Sequence, residues 1–299
     1  MMSQDETWTI RRLLEWTTGY LQRSGADSPR LDAEILLAHA LGCKRIDLYA
    51  NFDTEPNEKV RTAYRELIKR RAANEPVAYL VGYKEFYSMR FAVGNDVLIP
   101  RPETEYLVIG VKDLVEKMRA AGLITPDRTA DLCDIGTGSG AIAVTLAKHV
   151  PKCRVTAIDL SEPALVIARA NAVEHDVAAR IEFLQGDLLA PVEAGRQFDI
   201  IASNPPYVTE AEYELLAPDI LNHEPRGALV AGADGLDVIR RLIPQAAAHL
   251  RPGGYLLIEI SPMIHDSAVE LISSEASLQP CETILDLDKN RRVIVGRKL

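Results

Sequence analysis

The sequence predicts an α/β fold: a doubly wound, mostly parallel sheet that carries the chemistry, with a small helical domain ahead of it. Three observations predict it. From Ala130 onward, short β-branched runs alternate with helical stretches. The first of those runs ends in a glycine-rich turn, Asp134-Ile135-Gly136-Thr137-Gly138-Ser139-Gly140, that leads straight into a helical pattern. Residues 1–80, by contrast, repeat their apolar positions only at helical spacing.

A chain of 299 residues accommodates about two domains. The expected division is 1–80 for the helical domain, 81–109 for a hairpin and linker, and 110–299 for the sheet domain. There is no run of ~18 apolar residues, and the start, M-M-S-Q-D-E-T-W, is acidic and polar, so the expectation is a cytoplasmic protein without a membrane span. Four scattered cysteines without a C-x-x-C pair, and six histidines without ligand spacing, argue against a disulfide framework and predict no metal site. The net charge is −9, and residues 1–80 are balanced at twelve Lys/Arg against twelve Asp/Glu, so the acidic excess falls on the sheet domain. An acidic catalytic half is a poor fit to a DNA groove.

In the helical domain, Ile10, Leu13, Leu14, Thr17 and Leu21 share one helix face. Ser28-Pro29 starts a second helix that Gly42 stops, and Thr54 with Pro56 opens a third. The third helix has a basic outer face of Lys59, Arg61, Arg65, Lys69, Arg70 and Arg71; most such faces are merely solvated, but this one can meet an acidic partner. Between Glu75 and Leu107, Phe86 to Val93 and Val97 to Ile99 suggest a hairpin turning at Gly94-Asn95-Asp96. Ile99-Pro100-Arg101-Pro102-Glu103-Thr104-Glu105 then reads as an extended wall segment entering a helix over about 104–120. Strands are expected near 130–135, 154–159, 181–185, 198–203 and 254–260, helices near 140–149, 162–175, 237–250 and 266–274, and two antiparallel edge strands at 281–286 and 292–295.

Glycines after the first strand let the backbone approach a ligand whose polar groups meet free N–H groups at the helix start. Asp159, at the end of the second strand, is placed to accept from both ribose hydroxyls. Together they indicate a nucleoside-containing cofactor. Read as Gly136-x-Gly138-x-x-Ala141, the loop also satisfies a loose dinucleotide fingerprint, which keeps a nicotinamide dehydrogenase in view. S-adenosylmethionine is favoured by the alternating glycines, by Asp134 within reach of a methionine amino group, and by Asp187-Leu188 after the third strand, where an acid serves an adenine amino group.

The fourth strand ends in Ser203-Asn204-Pro205-Pro206-Tyr207. Two prolines stiffen the loop and remove two N–H donors, leaving the Asn204 side-chain oxygen and the prolyl carbonyls as acceptors and Tyr207 as a flat face. A planar NH2 group fits such a site. The plain alternative, for N-P-P-Y in isolation, is a proline-stiffened surface turn.

These stretches, with Glu75 to Gly82, Glu85-Phe86-Tyr87, Leu98 to Glu105, His223-Glu224-Pro225 and Ser28 to Glu34, resemble the bacterial release factor glutamine N5-methyltransferases over nearly the whole chain. The resemblance implies a Rossmann-like class I S-adenosylmethionine-dependent methyltransferase acting on the glutamine of the Gly-Gly-Gln motif in class 1 peptide chain release factors. It implies cofactor contacts from Asp134, Gly136, Thr137, Gly138, Ser139, Gly140, Asp159, Asp187, Leu188 and Asn204. Asn204, Pro205 and Tyr207 are the implied catalytic residues, and Pro206, Phe86 and Arg101 join them around the glutamine. The expected partner is a release factor, with no DNA, no membrane and a monomeric enzyme. The chain departs from the family pattern in Ile260-Ser261-Pro262 after Glu259, where a glycine and a glutamine are usual, and in a longer 111–129 stretch. Competing readings are an adenine N6-methyltransferase, disfavoured by the lack of a basic, aromatic-rich domain for a flipped base, and a non-catalytic assembly factor that keeps the fold.

Overall fold

A computed structural model describes residues 7–299; the acidic start at residues 1–6 lies outside the described residues. The chain divides at Gly82 into a helical unit and a sheet unit, and the short segment Ala217–His223 groups with the helical one. The hairpin and linker belong to the sheet unit, so they are not a separate body, and the expected 110–299 unit is interrupted at 217–223.

The helical unit contains α1 (Ile10–Arg23), α2 (Pro29–Leu41), α3 (Arg45–Ala50), α4 (Glu58–Ala72) and α5 (Val77–Val81). The apolar stripe Ile10, Leu13, Leu14 and Leu21 is buried as its spacing predicts, and Gly42 ends α2 in the left-handed conformation at φ 67°. The Tyr64 hydroxyl, buried between α1 and α2, meets Thr17 Oγ1 at 2.8 Å and donates to the Ala33 carbonyl at 3.1 Å. Two expectations need correction. The α4 helix starts behind Asn57, whose side chain accepts from the Val60 N–H, and not at Thr54-Pro56. Its basic face is also not uniform: Arg71 turns inward and donates to Asp32 at 2.8 Å, while Arg61, Lys69 and Arg70 are paired with Glu58, Glu66 and Glu75.

The sheet unit opens with a hairpin of β1 (Tyr83–Phe86) and β2 (Met89–Ala92). It turns at Tyr87-Ser88, both at positive φ (51° and 58°), and not at Gly94-Asn95-Asp96. A two-residue turn of that hand matches strand twist, which is why the pairing closes there despite the absence of glycine. After α6 (Thr104–Ala120) come β3 (Ala130–Ile135), α7 (Ala141–His149), β4 (Cys153–Asp159), α8 (Glu162–Glu174), β5 (Ile181–Gln185) and β6 (Phe198–Ser203). The short α9 (Glu210–Tyr213) and α10 (Pro218–His223) precede α11 (Asp237–His249), β7 (Leu250–Glu259), α12 (His265–Ser274), β8 (Leu278–Pro280), β9 (Ile284–Leu285) and β10 (Arg291–Lys298).

The sheet order is β5-β4-β3-β6-β7-β10-β8, with β9 on β10; β3 to β7 are parallel and the late strands antiparallel. Every residue of β6 is buried, as a central strand covered on both faces requires. Helices α6 and α7 pack on one face and α11 and α12 on the other. Among the parallel strands, sequence order runs outward in both directions from the β3–β6 pair, so the crossover direction reverses there. Open α/β sheets bind ligands at the carboxyl ends of such a pair.

At the opposite end of the strands sits Asp199, 1 % exposed. It accepts two hydrogen bonds from Arg128, at 2.7 and 2.9 Å, and one from the Asp131 N–H at 2.8 Å, with Arg251 at 3.3 Å. This clasp ties the loop before β3 to β6 and β7. Asp199→Ala removes the acceptor for Arg128 and for the Asp131 N–H, and the charge facing Arg251. A loss of about 2–4 kcal/mol in unfolding free energy by denaturant titration is expected. Cofactor affinity at the far end of the strands should stay unchanged, and a loss under about 0.5 kcal/mol would show that the clasp contributes little.

Candidate active site

The carboxyl ends of β3 and β6 open into a cavity of about 400 Å³. The glycine loop forms one side. Gly136 and Gly138 have φ of 71° and 55°, which other residues rarely adopt, and their backbone faces the cavity. The loop is held from below: the Gly136 and Thr137 N–H groups donate to the Ile158 carbonyl at 2.9 and 3.0 Å, and Gly138 N–H donates to Asp159 Oδ2 at 2.8 Å. Asp159 Oδ1 accepts from Ser161 N–H at 2.9 Å. Asp159 therefore stands at the end of β4 with its carboxylate oriented by two backbone donors, lining the cavity beside Leu160 and Ser161.

Asp187 and Leu188 line the cavity beyond β5, and Leu188 is held at φ 53°. Asp187 is paired with Arg241 of α11, which also lines the cavity and which the sequence did not single out. Ile142, Leu160, Ala164 and Leu188 make the walls largely apolar. An apolar slot edged by two carboxylates suits a flat base with an attached ribose.

Two of the expected cofactor contacts are corrected. Asp134 is fully buried and does not line the cavity; its Oδ2 accepts from Thr137 Oγ1 at 2.7 Å and from Ala143 N–H at 3.1 Å, and its Oδ1 has no hydrogen-bond partner. A side chain at that strand position points beneath the loop, so Asp134 braces the turn against α7. Burial pushes its carboxyl up to about 7, opposed by the Thr137 and Ala143 hydrogen bonds. Gly140 is also outside the lining. A Cβ there would lie 3.1 Å from that of Ala168, so this glycine lets α7 and α8 pack closely.

The N-P-P-Y loop forms the facing side through Asn204, Pro205 and Pro206. It is stitched to the glycine loop: Ser203 Oγ donates to the Ile135 carbonyl at 2.8 Å, and Gly136 lies opposite the Asn204 carbonyl oxygen. Asn204 Nδ2 donates to Thr104 Oγ1 at 3.1 Å. Tyr207 does not line the cavity. Its ring lies behind the loop toward Glu259, and burial, with that carboxyl, raises the phenol far above its usual range. Behind the loop, Gly235 (φ 73°) abuts the Tyr207 carbonyl so closely that a Cβ would overlap it.

Phe86 is likewise withdrawn from the substrate-contacting set. It is 2 % exposed and packs edge-on against Phe91 in the core, because the β1 register directs it inward. Arg101 does line the cavity, and its guanidinium is bound at 2.5 Å to Glu224, which also accepts from Ile99 N–H at 3.2 Å. The pair fastens the proline-rich wall to the segment after α10. Asn171, on α8, was missed because an asparagine inside a helix carries no signal of its own. It donates to the Ser139 and Ala92 carbonyls at 2.8 and 3.1 Å and accepts from Ala92 N–H at 2.7 Å, joining the hairpin to the glycine loop.

Sheet order, glycine loop, strand-end acids and the proline-rich loop together define a Rossmann-like class I S-adenosylmethionine-dependent methyltransferase. The T. thermophilus 16S rRNA N2 G1207 methyltransferase, solved in complex with AdoMet and guanosine, shares the fold at TM-score 0.50 and 17 % identity, over 73 % of this chain and 50 % of that one. Residues 12–82 match the PrmC N-terminal domain and residues 109–232 the methyltransferase small domain. The release factor glutamine methyltransferase of Rhodopirellula baltica is 46 % identical over 296 residues, 99 % of this chain and 98 % of that protein. That of Geobacter sulfurreducens is 40 % identical over 297 residues, 99 % of each. The chain belongs to the release factor glutamine methyltransferase family.

With Asp159 oriented by two N–H groups toward the cavity, Asp159→Ala is expected to weaken S-adenosylmethionine binding by about 1.5–3 kcal/mol, roughly ten- to a hundredfold, in titration calorimetry. Unchanged affinity in a folded variant removes Asp159 from the cofactor site.

Proposed function

We propose that this enzyme transfers the methyl group of S-adenosylmethionine to the side-chain amide nitrogen (N5) of the glutamine in the Gly-Gly-Gln motif of class 1 peptide chain release factors. The observation that carries the reading is the placement of Asn204, Pro205 and Pro206 on the cavity wall directly opposite the glycine loop. That puts acceptors for a planar NH2 group beside the place where a nucleoside-bearing methyl donor fits. The named relatives support the same substrate.

The residues that line the cavity suit the donor: Gly136 to Ser139 offer backbone around its amino acid portion, Asp159 the ribose, and Asp187 with Leu188 the base. Bound there, S-adenosylmethionine supplies an electrophilic methyl on a positively charged sulfur. An amide nitrogen is a weak nucleophile because its lone pair is shared with the carbonyl. The Asn204 Oδ1 and the Pro205 carbonyl each accept one amide N–H, which directs the lone pair toward the methyl. As the N–C bond forms at the expense of the donor's C–S bond, the nitrogen would gain positive charge and then release its proton to water. No strong base is needed beforehand, because the nitrogen becomes acidic only as it is alkylated. The chain contributes alignment and acceptors aimed at the developing charge.

Glycines flanking the target glutamine let it reach the cavity without side chains colliding with the walls. Tyr207, turned away from the cavity, serves by holding the loop. The partner is a release factor and not DNA or a lipid surface, and we take the enzyme to act as a cytoplasmic monomer. Among the described residues, no helix is long and apolar enough to cross a membrane.

Asn204→Ala should lower kcat by about a hundredfold or more while leaving release factor binding within a few-fold, because its acceptor matters most as charge develops. Stopped-time assays with labelled cofactor measure this, and near wild-type kcat would rule the role out. Mass spectrometry of a release factor incubated with enzyme and cofactor tests the substrate itself. Methylation is expected on the Gly-Gly-Gln glutamine, faster on the intact factor than on a short peptide, and not on a Gln→Glu factor. Labelled methyl on adenine with none on release factor would overturn the assignment.

A further inference from the structure

Two side chains behind Asn204 have no part in the chemistry described above. Thr104, the first residue of α6, is 5 % exposed and touches the cavity. Its Oγ1 accepts the hydrogen bond from Asn204 Nδ2 at 3.1 Å. The NH2 of an asparagine can only donate and its oxygen only accept, so binding Nδ2 to Thr104 leaves Oδ1 as the group offered to a substrate. A hydroxyl that accepts at this point must send its own hydrogen elsewhere. The carboxyl of Glu259, at the end of β7, is the neighbouring acceptor, and the Thr104 hydroxyl favours its charged form.

Glu259 is 1 % exposed, and its Oε2 has no hydrogen-bond partner. The charged and titratable groups around it are Glu103, Arg101, Arg292 and the Tyr207 phenol. None of the cations is its dedicated partner: Arg101 is bound to Glu224, and Arg292 to Asp286 at 2.7 Å. A buried carboxyl kept without an ion pair beside a catalytic loop is costly unless it serves that loop.

We propose that Thr104 and Glu259 are positioning residues that fix the orientation of the Asn204 amide: ionised Glu259 accepts the Thr104 O–H, Thr104 accepts from Asn204 Nδ2, and Oδ1 is thereby held toward the glutamine amide. The inference rests on the glutamine-methylating reading and deepens it, because it identifies what holds that reading's central acceptor in place. The carboxylate is a stronger acceptor for the Thr104 O–H than the protonated carboxyl, so the alignment is firmest in the carboxylate form. Burial pushes the Glu259 carboxyl up to about 7; Thr104, Arg292 and Arg101 oppose the shift and Glu103 adds to it. The carboxylate forms as pH rises through that value, and kcat should rise with it.

The test measures kcat, KM and cofactor Kd on full-length enzyme with intact release factor, across roughly pH 5.5 to 8.5. Thr104→Val, which keeps the shape and removes the hydroxyl, should lower kcat about 10- to 100-fold with KM and cofactor Kd nearly unchanged, and Thr104→Ser should restore most of it. Glu259→Gln keeps an acceptor for the Thr104 hydroxyl but cannot ionise. Its kcat should stay near the wild-type acid-side value across the whole range, without the rise near pH 7. A Thr104→Val enzyme as fast as Thr104→Ser, or a Glu259→Gln enzyme that keeps the pH limb, overturns the inference while leaving the substrate assignment standing. A wild-type enzyme that transfers no methyl to release factor removes the assignment and the inference together. Should Thr104→Val fold poorly by thermal melt, the Glu259→Gln pH profile decides alone.

Discussion

The structure depends on one piece of backbone geometry, the parallel pairing of β3 with β6. These strands start crossovers that leave the sheet in opposite directions, so no helix covers the space above their carboxyl ends. Two loops with different duties meet there. The glycine loop and the proline-rich loop line the same cavity from its two sides. The Ser203 hydroxyl on the Ile135 carbonyl keeps the two in register, so that the distance between the loops is set by strand spacing and not by flexible side chains.

Around this pair the enzyme buries acidic side chains that it treats in two ways. Asp199, at the amino end of the strands, is surrounded by Arg128, Arg251 and a backbone N–H, an arrangement that stabilises the fold. Asp134, which accepts two hydrogen bonds, and Glu259, both at the carboxyl end, have no ion pair, and burial moves both toward neutrality. Such groups are expensive for stability, since their charged forms are poorly solvated. Both have pKa values above their unfolded ones, so the stability they contribute is complete at acid pH and is lost as pH rises through about 7. Each sits directly beneath one of the two loops, where the same lack of compensation makes it sensitive to what the loop does.

Much of this was legible because the physics was local. A helix-spaced stripe, an N-terminal proline, a glycine turn after a β-branched run and paired prolines each act within a few residues, and the strands of the sheet fall within a few residues of their expected bounds at β3, β4, β5 and β6. What was not legible depended on register or distance. The hairpin closes at Tyr87-Ser88 because a two-residue turn of the right hand won over a glycine-containing one, and that register sent Phe86 into the core. Asp134 and Gly140 belong to the glycine motif in sequence yet serve packing, one under the loop and one against Ala168. Asn171 to Ala92, Glu224 to Arg101 and Arg241 to Asp187 are contacts across more than fifty positions of chain. No window on the sequence brings those partners together.

The close approach of Gly235 to the Tyr207 carbonyl gives α11 a double attachment. Two residues past that contact the helix begins, and at its second turn Arg241 grips Asp187 on the cofactor wall. A helix is stiff over so short a span, so the N-P-P-Y loop and the Asp187 side of the cavity are fastened to the same rod. Moving the N-P-P-Y loop would therefore drag the Asp187 wall of the cavity with it. The width of the cavity and the position of that loop are in this way a single dimension of the molecule, and a substitution at Gly235 would be felt in both.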